Sequence, residues 1–244
     1  VKREFLITKN DIHINKNIIK KFNYAIDRRK KNEPIAYITG QKEFWSRNFY
    51  INKFTLVPRP ETELLIYNLV NFFKNKNINI LDVGTGSGCI LLTLLKELKL
   101  SRGTGIDISQ KAVKVAKINS KNLKILNRSK FKVADINKLN YGKYDLIVSN
   151  PPYILFKDLK NLSKDIRNYE PIIALNGGLD GLDIIKKVIF KSKMLLKTGG
   201  LLALEIGNNQ YKKVLYLLIE SGYRIKSKQF DNIKNVRCII STKM

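Results

Sequence analysis

The chain has 244 residues, 44% of them hydrophobic, which is enough for an ordinary packed core and excludes general disorder. Its 46 Lys and Arg against 20 Asp and Glu give a formal net charge of +26. Such a field attracts nucleic acid or the ribosome weakly at long range. Yet the lysines are spread evenly among asparagine and isoleucine, as a coding bias toward A and T would leave them, and Arg28-Arg29-Lys30-Lys31 is the densest run.

The first residues, Val1 to Ile7, are too short and too quickly polar for a secretory leader. No apolar stretch reaches the roughly 20 residues needed to span a membrane. A cytoplasmic protein is expected. Residues 15–31 place Ile18, Ile19, Phe22, Tyr24, Ala25 and Ile26 on a helical face. Residues 42–57 read as a hairpin, with strand formers at Phe44, Trp45, Phe49, Tyr50, Ile51 and Phe54-Thr55-Leu56-Val57. Glu61 to Phe73 reads as a helix with Pro60 in its first turn.

From residue 78 strands and helices alternate, the pattern of a mostly parallel sheet with helices on both faces. Strands are expected near 79–83, 103–107, 130–134, 144–149 and 200–206. Helices are expected over 88–99, 109–119 and 180–196, the last ended by Thr198-Gly199-Gly200. Two late strands near 223–229 and 235–241 form an antiparallel hairpin at the sheet edge. Cys89 and Cys238 suit small buried residues, not a disulfide. His13, the only histidine, reads as an ordinary polar residue, and no cluster of metal-ligand spacing occurs.

Two motifs carry chemistry. Asp82-Val83-Gly84-Thr85-Gly86-Ser87-Gly88 ends an apolar strand and opens a helix, so a ligand can approach backbone and helix N-terminus. Cys89 stands where the dinucleotide pattern needs a third glycine, and no phosphate-loop lysine follows. The acid Asp82 ahead of the glycines would repel a pyrophosphate but accept from an ammonium, directly or through water. S-adenosyl-L-methionine carries such a group and no phosphate. Asp107, at the end of the next strand, can accept from both ribose hydroxyls or cap the following helix.

The second motif, Asn150-Pro151-Pro152-Tyr153, follows the apolar run Tyr144 to Ser149. Paired prolines cannot donate backbone hydrogen bonds and favour extended φ/ψ, so the chain leaves the sheet as a stiff loop with free carbonyls. Asn150 adds an acceptor and a donor, and Tyr153 an aromatic wall. The loop suits gripping a planar amide or amino group through its N–H bonds. A plain proline turn closing a strand is the competing reading.

With these motifs stand Pro58-Arg59-Pro60-Glu61-Thr62-Glu63-Leu64-Leu65, Glu33-Pro34-Ile35-Ala36-Tyr37-Ile38-Thr39-Gly40 with Glu43-Phe44-Trp45, Tyr169-Glu170-Pro171, and Gly177-Gly178-Leu179-Asp180-Gly181. Over roughly residues 28–206 the chain resembles the HemK/PrmC family of protein-(glutamine-N5) methyltransferases, which are class I S-adenosyl-L-methionine-dependent enzymes acting on peptide chain release factors. The resemblance implies an α/β Rossmann-like sheet of five parallel strands closed by an antiparallel edge pair. It divides the chain into a substrate-side segment of helix and hairpin, residues 1–57, and a methyltransferase domain, residues 58–244. Of the family's larger N-terminal helical bundle, at most the last helix or two is expected in this chain.

The resemblance also implies roles. Asp82, Gly84, Thr85, Gly86, Ser87, Gly88, Asp107, Asp135, Ile136 and Asn150 would hold S-adenosyl-L-methionine, with Asp135 near the adenine amino group and Ile136 packed on the ring. Asp135 could equally be a turn residue. Asn150, Pro151, Pro152 and Tyr153 would bind the target glutamine of the Gly-Gly-Gln motif and align its nitrogen for transfer. Arg59, Glu61 and Thr62 would line or close the cofactor pocket, with a helix-capping ion pair as the alternative. A monomer acting on release factors is expected, with no metal and no membrane. The rival function is a nucleic-acid methyltransferase acting on adenine N6 or guanine N2. Those enzymes use a similar loop and must extrude the base.

Overall fold

The computed structural model describes residue 8 and residues 14–140 and 142–244, so His13 and the leader expected to be absent at residues 1–7 lie outside it. Continuous apolar runs mark strands covered on both faces, and five of them form a parallel sheet: β3 (Asn79–Val83), β4 (Arg102–Asp107), β5 (Ser129–Val133), β6 (Tyr144–Ser149) and β7 (Leu196–Glu205). With the final pair β8 (Tyr223–Phe230) and β9 (Val236–Lys243) the order is β5-β4-β3-β6-β7-β9-β8, and β9 runs antiparallel to both its neighbours. Alternate residues feed two cores. On one face Ile80, Leu146, Val148 and Ala203 pack with α3 (Glu63–Phe73), α4 (Cys89–Glu97) and α5 (Gln110–Asn122). On the other, Leu81, Ile147, Leu202 and Leu204 pack with α7 (Asp183–Leu195) and α8 (Tyr211–Glu220).

Ahead of the sheet lie α1 (Lys16–Lys30) and α2 (Ile35–Thr39), then a hairpin of β1 (Gln41–Phe44) and β2 (Arg47–Tyr50). Helix α1 starts where the Asn15 side chain accepts from the Asn17 N–H, and none of its residues is buried. The hairpin is shorter than its strand formers suggest. Residues 51–57 leave the ladder because Phe54-Thr55-Leu56 face a cleft, and the Thr55 carbonyl accepts from the Tyr37 hydroxyl at 2.7 Å. A 3₁₀ turn at Pro60–Thr62 leads into α3.

Two further expectations are corrected. Helix α7 ends at Leu195, so Thr198-Gly199-Gly200 does not cap it but lies within β7. Tyr144 pairs with Leu196 while Leu146 pairs with Leu201, so the triplet arches out of the ladder, with Gly199 at φ +74°. The segment 211–220, not expected as a helix, forms α8 because Val214 and Leu218 share one buried face. A short helix α6 (Lys164–Tyr169) lies in the connection from β6 to α7. Among the described residues no helix is long and apolar enough to cross a membrane.

Candidate active site

Parallel strands deliver their C-terminal ends to one edge, and a crevice opens where the connections diverge to opposite sides. Here that point is β3, from which the chain reaches β4 on one side and β6 on the other. A cleft of about 460 Å³ lies there. Of the residues expected to bind cofactor or target, Gly84, Thr85, Gly86, Ser87, Asp107, Asp135, Ile136, Asn150 and Pro152 line it. Arg59 and Thr62 line it as well. Asp82, Gly88, Pro151, Tyr153 and Glu61 do not.

The glycine loop turns tightly, with Gly84, Gly86 and Gly88 all at positive φ. It is anchored by Gly84 and Thr85 N–H groups donating to the Ile106 carbonyl, each at 2.9 Å. Gly86 donates its N–H to Asp107 Oδ2 at 2.9 Å, and Ser109 donates its own to Oδ1 at 2.8 Å. The residue that caps α5 is Ser109, whose hydroxyl accepts from the Ala112 N–H. Asp107 is thus held from both sides at the cleft wall. Burial pushes its carboxyl up, against the backbone N–H groups of Ser109, Gly86 and Ile108. Asp135 accepts from the Asn137 N–H and starts a 3₁₀ turn, with Ile136 buried beside it.

Asp82 lies one layer below, with 0% of its surface exposed. Its Oδ2 accepts from the Thr85 hydroxyl at 2.6 Å, and among the described residues its Oδ1 has no hydrogen-bond partner. Burial raises its pKa to about 7, opposed by the Thr85 hydroxyl and the Leu91 N–H and reinforced by the Asp107 charge.

The loop after β6 is fixed from several directions. Asn150 donates Nδ2–H to Thr62 Oγ1 at 3.2 Å, and Thr62 donates its hydroxyl to Glu205 Oε2 at 2.6 Å. Tyr153 turns away from the cleft. Its hydroxyl donates to Glu205 Oε1 at 3.4 Å and accepts from Arg237 Nη2 at 3.0 Å, and the guanidinium lies 5.4 Å from its ring centre. Gln210 ties the Tyr153 carbonyl to that of Gly181, donating to both at 3.1 and 3.0 Å. A Cβ on Gly181, at φ +74°, would come within 2.5 Å of that Tyr153 carbonyl, so glycine is needed for the approach.

Residues 171–174 roof the cleft, and an ion pair sets their position. Arg59 Nη2 meets Glu170 Oε1 at 2.6 Å, while Glu170 Oε2 accepts from the Val57 N–H at 3.3 Å. Arg59 therefore joins the roof and not a helix cap. Glu205, Arg237 and Gln210 were not singled out from the sequence. The one signal for Glu205 was a lone acid closing an apolar strand run, the same mark that Asp82 and Asp107 carry.

The sequence fits known families in two places: a methyltransferase domain over residues 74–233 and a PrmC N-terminal domain over residues 1–40. The release factor glutamine methyltransferase of Clostridium acetobutylicum is 40% identical over 225 residues, covering 91% of this chain and 79% of that protein. A bifunctional methyltransferase of Rickettsia typhi is 38% identical over 242 residues, and the match spans 47% of its length. A crystal structure of a methyltransferase from Pyrococcus furiosus shares the fold, with a TM-score of 0.61 at 18% identity, over 94% of this chain and 99% of that one. Sheet order, glycine loop, Asn-Pro-Pro-Tyr loop and identity over most of both chains agree, and the chain belongs to the release factor glutamine methyltransferase family.

Proposed function

We propose that the chain transfers a methyl group from S-adenosyl-L-methionine to the side-chain amide nitrogen of the glutamine in the Gly-Gly-Gln motif of class-1 peptide chain release factors. The carrying observation is Asn150. Its Nδ2 is committed to Thr62, so its Oδ1 is left to accept a hydrogen bond at the cleft wall. Pro152 lines the cleft beside it; Pro151 does not line it, and its carbonyl, on a loop whose prolines donate nothing, is assigned here as the second acceptor at the same turn. Two acceptors side by side match the two N–H bonds of a primary amide.

The walls suit a sulfonium nucleoside. The volume is that of a cofactor-sized site, a carboxylate stands where a ribose would need acceptors, and Ile136 gives an apolar face. When bound, S-adenosyl-L-methionine supplies a methyl carbon activated by the sulfonium. The chain's own task is alignment. Accepting both N–H bonds, Asn150 and Pro151 turn the target nitrogen's lone pair toward the cleft and favour positive charge growing on that nitrogen. Asp107 and the glycine loop hold the cofactor, with Asp135 and Ile136 at its adenine end, and Asp82 supports the loop from beneath.

In this reading residues 1–57 form the substrate-side unit and residues 58–244 the transfer unit. The protein works in the cytoplasm as a monomer, and its positive field adds a weak attraction to ribosome or RNA. The test offers labelled cofactor with release factor, a Gln-to-Ala release factor and bulk tRNA. Mass spectrometry is expected to find one methyl on the Gly-Gly-Gln glutamine and none in the Ala variant. Methyl on adenine or guanine of the RNA instead would replace this reading with the nucleic-acid one.

A further inference from the structure

Glu205 is a buried carboxylate, 0% exposed, at the end of β7. Burying a charge is costly unless it is paired and hydrogen-bonded, so its position calls for a reason. Three donors face it, against the nearby charge of Glu61. Thr62 Oγ1 lies 2.6 Å from Oε2, the Tyr153 hydroxyl 3.4 Å from Oε1, and Arg237 Nη2 3.9 Å from Oε1. Arg237 is itself held by Asn208 Oδ1 at 2.9 Å.

We propose that Glu205 is a positioning residue that sets the direction of the hydrogen bonds running through Thr62 to Asn150. The claim rests on the role given to Asn150 above. Burial pushes the Glu205 carboxyl up, while the Thr62 hydroxyl, the Arg237 charge and the Tyr153 hydroxyl all favour its anion, and as that anion it only accepts. A threonine hydroxyl has one O–H, and here it goes to Glu205. Its oxygen can then only accept, so the group facing it must donate, and Asn150 has to present Nδ2. The amide oxygen is thereby turned the other way, toward the target. With the opposite polarity Asn150 would offer N–H bonds to a substrate that itself brings N–H bonds, and the grip would fail. Oε1 does the same for Tyr153, which takes a hydrogen bond from Arg237 and passes its own to Glu205. Two of the four residues in the Asn-Pro-Pro-Tyr loop are thus oriented by one anion.

The alternative is that Glu205 only ties β7 to the Pro60–Thr62 turn and to β9. Reversing the chain separates the two. Asn150→Asp alone gives two acceptors competing for one Thr62 hydroxyl, and turnover is expected to fall about 100-fold or more. When Asn150→Asp is combined with Glu205→Gln, the single negative charge is conserved and every bond can reverse. The glutamine introduced at position 205 donates Nε2–H to Thr62, and Thr62 donates to one oxygen of the introduced aspartate. The other aspartate oxygen accepts from the target amide. The oxygen of the introduced glutamine keeps the Tyr153 and Arg237 side.

The expected result is that kcat of the double variant rises about tenfold or more above Asn150→Asp, although Glu205→Gln alone lowers kcat by about as much. All three are compared at saturating cofactor and release factor, so that kcat alone is read. Multiplicative losses would overturn the relay, since a merely structural Glu205 gives no rescue. Should Glu205→Gln not fold, Thr62→Val against Thr62→Ser decides it. The valine is expected to lower kcat about tenfold and the serine to restore it, and a fully active Thr62→Val enzyme would sink the claim. Asn150→Ala keeps the readings apart. If it retains full turnover, the role of Asn150 fails and the relay with it. If it is inactive while the paired variants are multiplicative, only the relay fails.

Discussion

Asp82 shows what a single buried acid does to the balance between folded and unfolded states. Its carboxyl titrates at about 7 in the fold, against about 4 in an open chain, because burial disfavours the charge. The folded state therefore holds a proton that the unfolded state has released. The stabilisation is complete below pH ~4 and is lost as pH rises toward 7. Asp82→Asn keeps an acceptor for the Thr85 hydroxyl and cannot titrate. Urea midpoints taken from pH 5 to pH 8 are expected to decline more in the native protein than in this variant, by on the order of 1 kcal/mol or more in unfolding free energy. Parallel profiles would mean that Asp82 does not retain its proton. At this scale the sequence was legible where a residue's partners are near it. Asp107 bonds Ser109, two positions on, and Gly86, 21 positions back in the glycine loop. Glu205 was illegible because Thr62, its closest partner, is 143 positions away.

Among the elements, the β1–β2 hairpin turns through Trp45 and Ser46 at φ +51° and +54°, a region that L-residues enter at a cost of roughly 1–2 kcal/mol each. The turn holds because Glu63 accepts the Trp45 backbone N–H at 2.7 Å, and Glu97 accepts from the indole and from Arg47, at 3.2 and 2.6 Å. Ser46 is exposed. Ser46→Gly is expected to raise unfolding free energy by up to about 1 kcal/mol after glycine's own entropy cost. A lowered urea midpoint would contradict it. Strands of continuous apolar residues and helices between them were legible from pattern alone. Thr198-Gly199-Gly200 was not, because a glycine pair reads the same as a helix stop or as an arch inside a strand. Here the Thr242 hydroxyl donates to the Gly199 carbonyl at 3.2 Å and keeps the arch in the sheet. The Phe54–Val57 run has strand composition, but Phe54, Thr55 and Leu56 are claimed by the cleft and Val57 by the core.

For the molecule as a whole, +26 charges repel one another most when salt is lowest. Screening shortens from about 30 Å at 0.01 M to about 10 Å at 0.1 M. The melting temperature is therefore expected to rise by a few degrees over that range. A fall would show that attractive pairs, such as Arg59 with Glu170, outweigh the repulsion.

That same ion pair bears on whether the chain is modular. Glu170 grips both Arg59 and the Val57 N–H, and Phe54, Thr55 and Leu56 form part of the wall facing the glycine loop. A piece excised at residue 58 would keep Asp107, Asn150 and Glu205. It would lose one side of the cleft and half the grip on its roof. In practical terms, a shuffled or minimised version has to carry the segment leaving the hairpin along with the sheet, for the two are halves of one socket.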